Sequence, residues 1–204
     1  MKNTTLIFFA AVFSSSFVVA AENKPIYKWI AANEYYMIMP TAQTLNISGG
    51  GSESVKPWGF GFRAVGNNET ISKTGGLQFQ SIKVDNPHTG KDTFYLFDLL
   101  LGMEFMTPKV QGKPLRFTAQ AFADLGLSDT TLYAAPIISA GFLYTTKEFT
   151  DTPTGLTFDV FCRLIDLDLD NVGGWKAGTL KPALGVKIGY IFEGFWTVKE
   201  KSDN

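Results

Sequence analysis

The chain reads as all-β, a closed antiparallel up-and-down barrel of about eight strands that crosses a membrane. Three observations carry this. From about residue 34 to residue 196, apolar and polar side chains alternate in eight short runs separated by turn residues. The polar half of the alternation is mostly Gly, Ala, Thr and Gln with a few opposed charges, and it lacks the Lys/Glu coat of a soluble strand. Charged residues are 18% of the chain, below the roughly 25% of an ordinary soluble protein, so part of the surface faces something other than water.

The chain of 204 residues is long enough for one domain with a real core. Residues 1–21 read as a cleaved export signal. Lys2 is the positive end, Leu6 to Phe13 form the apolar stretch, and Val19-Ala20-Ala21 supplies small residues before Glu22. The mature part, 22–204, reads as a single barrel domain with 22–33 as a lead-in and 197–204 as a polar tail. Cys162 is the only cysteine, so an exported fold must be held by packing or by a membrane rather than by a disulfide. A net charge of -1 gives no electrostatic footprint for nucleic acid or anionic lipid.

The runs are 34–40, 58–65, 76–84, 93–106, 115–125, 131–145, 156–169 and 180–196. Six of the eight reach at least the roughly nine residues that a tilted membrane strand needs. Between them lie turn-forming stretches such as Gly66-Asn67-Asn68, Asn86-Pro87, Thr107-Pro108 and Asn171-Val172-Gly173. The connection at 40–56 is the longest, and its Gly/Ser content reads as mobile.

Alternation alone does not say which face is the lumen. Two arguments place the small polar face inside. Glycines such as Gly59, Gly61, Gly102, Gly141, Gly185 and Gly189 weaken a solvent-facing strand but suit a narrow lumen. Phe, Leu and Val of the opposite face would overfill that lumen, whereas acyl chains accept them. The interior then holds Arg63, Arg116, Arg163 and Lys187 with Asp98, Glu104, Asp124 and Asp159, four charges of each sign that neutralise one another as a buried ionic network. Trp58, Tyr95, Tyr144, Tyr190 and Trp196 lie near run ends, where an interfacial aromatic girdle belongs.

With this pattern the mature chain resembles the small eight-stranded outer-membrane β-barrels of Gram-negative bacteria. The resemblance is architectural and carries no specific family motif. It implies a cell outer-membrane location, with outer-membrane lipid and lipopolysaccharide as surroundings. Two features depart from it. Residues follow the aromatic end at Phe192 and Trp196, and Pro136 lies inside a strand, where it marks either a bulge or a strand start at Ile137.

Candidate chemistry is sparse. His88 is the only histidine, in the turn Asn86-Pro87-His88-Thr89-Gly90, with Ser81, Asp85 and Asp92 as sequence neighbours. A lipid-modifying enzyme would use it at the outer rim; turn formation alone also explains the stretch. Asp166, Asp168 and Asp170 fall on one side of an extended segment. They are candidates for bridging a divalent cation, although Asn171 and Ala177 exclude an EF-hand and a solvated acidic end is the plainer reading. No cofactor is implied. The reading is a non-catalytic envelope or surface protein. A narrow, porin-like solute path is kept open, and the alternatives are an enzyme using His88 and a soluble lipocalin-like barrel binding an apolar ligand.

Overall fold

The structure, a computed structural model, describes residues 31–66, 71–85, 93–111, 113–128, 131–149, 152–169 and 178–193. They form β1 (Ala31–Met39), β2 (Gln43–Asn46), β3 (Ser52–Val55), β4 (Trp58–Gly66), β5 (Ile71–Lys83), β6 (Thr93–Met106), β7 (Leu115–Ser128), β8 (Thr131–Phe149), β9 (Thr152–Arg163), β10 (Leu167–Asp168), β11 (Thr179–Leu180) and β12 (Leu184–Glu193). Eight of these close an antiparallel barrel in the order β1-β12-β9-β8-β7-β6-β5-β4, with β4 paired back onto β1. Each of the eight runs read from the sequence supplies one barrel strand. β1 starts at Ala31, inside the stretch read as lead-in. The signal (1–21), the rest of the lead-in and the tail (197–204) lie outside the described residues.

The register sets the size of the barrel. Stepping from Tyr144 on β8 across Leu156, Tyr190, Tyr35, Phe62, Leu77, Leu99 and Leu125 returns to β8 at Ala134, ten residues from the start. Eight strands with that stagger tilt by about 40° and enclose a radius of about 8 Å, room for side chains and little else.

The pleat sends Tyr35, Met37, Phe60, Leu77, Phe97, Leu99, Met103 and Ile188 outward, all exposed. The same rows run from Tyr144 at one rim to Tyr95 at the other. Allowing for tilt, they make an apolar belt about 25 Å tall. Trp58 and Tyr95 lie toward one rim, Tyr144 and Tyr190 toward the other, each 41–48% exposed; Trp196 lies outside the described residues.

The inward face is not all small. A floor of Ala32, Val65, Leu143 and Ile191, with Met106 against it, closes one end. A middle layer packs Tyr36, Ile38, Leu100, Phe122, Ile137 and Phe161. These rings fit a narrow lumen because a glycine stands across the strand pair from four inward rings. Gly61 faces Tyr36, Gly102 faces Phe122, Gly126 faces Tyr133 and Gly185 faces Phe161, so that a Cβ on any of these glycines would meet the ring.

The other end carries a feature absent from the sequence reading. The chain between β1 and β4 and the chain between β9 and β12 join in a four-stranded sheet, β10-β11-β2-β3. The expectation of a mobile 40–56 is therefore corrected. Gln43, Leu45 and Ile47 alternate with exposed Thr44 and Asn46, and Gly49 and Gly51 supply the positive φ values (99° and 79°) that the hairpin turn needs. The glycines there shape a turn. The inner face of the sheet packs Leu45, Ile47, Val55, Leu167, Leu169 and Leu180 onto Ile82, Val84, Phe94, Leu96 and Ala135 at the barrel mouth. This sheet caps the barrel.

Pro136 explains why the run 156–169 breaks at Arg163. It sits inside β8, paired with Ala123 of β7, and is neither a bulge nor a strand start. Its carbonyl accepts the Leu164 N–H at 2.9 Å, on the side facing β9. It has no N–H to return, so the β8–β9 ladder stops there and the chain leaves for the cap. The bulge in β8 lies instead between Thr145 and Lys147.

Leu45 is fully buried under the cap. Leu45→Ala should cost about 2–4 kcal/mol within the cap, read as faster proteolysis in 40–57 while the barrel keeps its folded gel mobility. Unchanged protection would contradict the packing.

Candidate functional site: an ionic lumen

Between the floor and the ring layer lies a first ionic layer. Arg63 on β4 extends Nε to Glu34 on β1 and Nη1 to Glu104 on β6, both within contact. The planar guanidinium reaches two carboxylates on different strands at once, which an ammonium does less well. Thr157 on β9 donates its hydroxyl to Glu34. Lys187 on β12 lies 3.9 Å from Asp159 on β9 and donates to Gln120 Oε1 at 3.2 Å. Asp159 also accepts from Thr118 at 3.1 Å and from Gln120 at 3.5 Å.

The ring layer is tied to this one through Lys187. Its ammonium lies over the rings of Tyr36, Phe122 and Phe161 at 5.2, 5.6 and 5.8 Å, within reach of favourable cation–π attraction.

Above the rings is a second ionic layer. Arg163 on β9 donates to Asp124 Oδ2 on β7 from Nη2 at 2.8 Å and from Nε at 3.1 Å. Its Nη2 also lies 3.9 Å from Asp98 on β6. Asp98 accepts from Gln78 at 2.8 Å, Gln80 at 3.0 Å and the Tyr133 hydroxyl. Tyr36 donates to Gln78 Oε1 at 3.2 Å and so links the rings to the upper layer.

The structure thus places Arg63, Asp98, Glu104, Asp124, Asp159, Arg163 and Lys187 in the lumen, each under a tenth exposed. Arg116 is half-buried near the floor end of β7. The eight form no single ring of pairs. They fall into two layers separated by aromatic packing. In each layer the described carboxylates outnumber the fully buried cations by one. Neutral donors meet Glu34 (Thr157), Asp159 (Thr118, Gln120) and Asp98 (Gln78, Gln80, Tyr133), while Glu104 Oε1 and Asp124 Oδ1 are buried without a hydrogen-bond partner.

Sequence reasoning missed Glu34, the nearest partner of Arg63, because it stood at the first residue of a run and its face was not read. Its alternation with Tyr36 and Ile38 was the available signal. The inward glutamines carried no charge to mark them.

Of the remaining candidates, only Ser81, Asp85, Asp166 and Asp168 fall among the described residues. His88, Asp92 and Asp170 lie outside the described residues. Ser81 is buried, and Asp85 is exposed, 3.4 Å from Lys83. Asp166 pairs with Lys181 at 2.5 Å, and both it and Asp168 are exposed beside the cap. Among the described residues no grouping of three His, Cys, Asp or Glu side chains is placed to hold a metal ion. Cys162 is half-buried on the outward face, its thiol 3.3 Å from the Arg163 carbonyl.

Among solved structures, the chain is similar to the outer membrane protein OprG from Pseudomonas aeruginosa, with a TM-score of 0.44 and 10% identity over 84% of this chain and 99% of that one. It is similar to Ail, the attachment invasion locus protein of Yersinia pestis, with a TM-score of 0.44 and 12% identity over 82% of this chain and 100% of that one. It is also similar to the outer membrane protein AlkL, with a TM-score of 0.46 and 8% identity over 89% and 98%. No protein-family model matches the chain, and no curated protein matches it. No residue role crosses over at such identities. The barrel stands on this chain's own strand register.

Arg63→Met leaves Glu34 and Glu104 buried without their cation and should destabilise the barrel by about 3–5 kcal/mol. Adding Glu34→Gln and Glu104→Gln to that variant should recover most of the loss. Urea unfolding in detergent micelles, followed by tryptophan fluorescence, distinguishes the three proteins. A single variant as stable as wild type would show that the pairs do not matter.

Proposed function

We propose that this chain is an integral outer-membrane β-barrel with a non-catalytic role in the envelope or at the cell surface. The observation that carries the reading is the outward belt. Phe60, Leu77 and Phe97 are 55%, 63% and 55% exposed, while Arg63 and Asp124 on the opposite face are 1% and 0% exposed. A soluble barrel with this surface would present a continuous apolar girdle to water, far beyond the patch a soluble monomer carries. In hydrocarbon the same surface is at home.

The export signal at 1–21, cleaved before Glu22, belongs to this reading. So does an orientation with the cap on the outer side and the short β4–β5, β6–β7 and β8–β9 turns on the periplasmic side. Lipid acyl chains and lipopolysaccharide are then the barrel's neighbours.

The packed lumen favours a scaffold over a solute path. Floor, ionic layer, rings, second ionic layer and cap succeed one another along the axis. A porin-like route would have to displace all of them. A lipocalin-like carrier is disfavoured for a related reason, since its cavity would have to be lined by apolar side chains rather than by Arg63, Lys187 and five carboxylates.

The expected behaviour is retention in membranes through a high-salt wash, solubility only with detergent, and faster gel migration before boiling than after. Reconstituted in a planar bilayer, the wild-type chain should carry no steady current. Release by salt alone would refute the membrane reading, and a steady ohmic current would refute the sealed lumen.

A further inference from the structure

We propose that the outward face of β4, β5 and β6 at the capped rim is a binding site for a lipid whose phosphate headgroup carries net negative charge, as that of lipid A does and that of phosphatidylcholine does not. The inference rests on the membrane reading above and adds a chemical identity for one neighbour. Two observations on this face support it.

The first is an aromatic pad. Phe79 on β5 touches four other rings: Phe97 at 5.1 Å, Phe60 at 5.3 Å, Tyr95 at 5.7 Å and Trp58 at 6.5 Å between centroids. Trp58, Phe60, Tyr95 and Phe97 are each 41–55% exposed. At the same height on the other side of the barrel, the outward residues are the aliphatic Leu125, Leu127, Leu164 and Leu184. A girdle alone would spread its aromatics around the rim. Here they gather on three adjacent strands, a broad rigid surface against which saturated acyl chains can lie.

The second is charge. Trp58 pairs with Ser81 in the β4–β5 ladder. Lys56 precedes Trp58 by two residues and Lys83 follows Ser81 by two, so both reach the rim directly above the pad, and both are exposed. Lys83 lies 3.4 Å from Asp85, but these side chains are about three-quarters exposed. Such a screened pair is weak and leaves the ammonium able to meet a phosphate. On the other side of the barrel, Lys181 is taken by Asp166 at 2.5 Å. Cations above an aromatic pad complement an anionic phosphate headgroup above its acyl chains.

The test uses the full chain in phosphatidylcholine discs with and without lipid A, with native mass spectrometry counting the lipid A that stays bound. Wild type should retain lipid A in preference to phosphatidylcholine. Lys56→Ser/Lys83→Ser should lower that retention about tenfold, and Phe79→Leu/Trp58→Leu should also lower it. Lys109→Ser/Lys113→Ser, at the opposite rim, should leave it unchanged, and gel mobility before boiling verifies the fold of each variant. Equal retention by wild type and the Lys56/Lys83 variant, or equal loss in both lysine variants, overturns the site. A chain that enters the discs without any preference also overturns it while leaving the membrane reading intact. A chain that does not enter phosphatidylcholine discs at all overturns the membrane reading itself.

Discussion

A charge in the lumen of a narrow barrel has no water to fall back on, so it must be met by another charge or by a directed donor. Arg63 shows how strictly this constraint acts. Its guanidinium lies between carboxylates from β1 and β6, strands that are not neighbours in the wall. The contact runs across the lumen and fixes the stagger at which β1, β4 and β6 can close. A one-residue slip of β4 would turn Arg63 toward the outward apolar belt and leave Glu34 and Glu104 stranded inside. Register, closure and charge balance are therefore one condition rather than three.

The apolar layers follow from the same condition. Two ionic layers stacked directly would place five carboxylates in one low-dielectric column. The ring layer of Tyr36, Phe122 and Phe161 keeps them apart and lends its faces to Lys187. Floor and cap pack apolar side chains beyond both ionic layers, and the low dielectric of such surroundings strengthens each pair inside. The inward rings have space because Gly61, Gly102, Gly126 and Gly185 on neighbouring strands yield it, so these glycines are a requirement of the packed lumen.

Much of this was legible in residue order. Period-two alternation marks all eight barrel strands, and the scarcity of Lys and Glu on the small face points that face inward. The cap was not legible. Its strands are short, with Leu167-Asp168 and Thr179-Leu180 only two residues each, and the partner that ties Thr179-Leu180 into the sheet lies more than a hundred residues away in Gln43–Asn46. Local pattern cannot report such pairing. Gly49 and Gly51 looked like loosening elements because a positive-φ turn and a flexible linker use the same residue. Pro136 was ambiguous for a similar reason. Its effect depends on which side of β8 its missing donor faces, a fact of register. Glu34 shows the same limit at a single residue, since its partner on β4 is visible only once the barrel closes.

The central claim is that alternate residues of each wall strand face lipid and a dry lumen. Spin labels placed singly along β6 in a Cys162→Ser background test it most directly, at the outward positions Phe97, Leu99, Leu101, Met103 and Phe105 and the inward positions Leu96 and Leu100. In phospholipid vesicles, the outward labels should collide freely with dissolved oxygen and hardly at all with a water-soluble nickel complex, and the inward ones should be shielded from both. Nickel access at Leu99 and Leu101, near the middle of the belt, would mean that those side chains face water, and the account would be wrong.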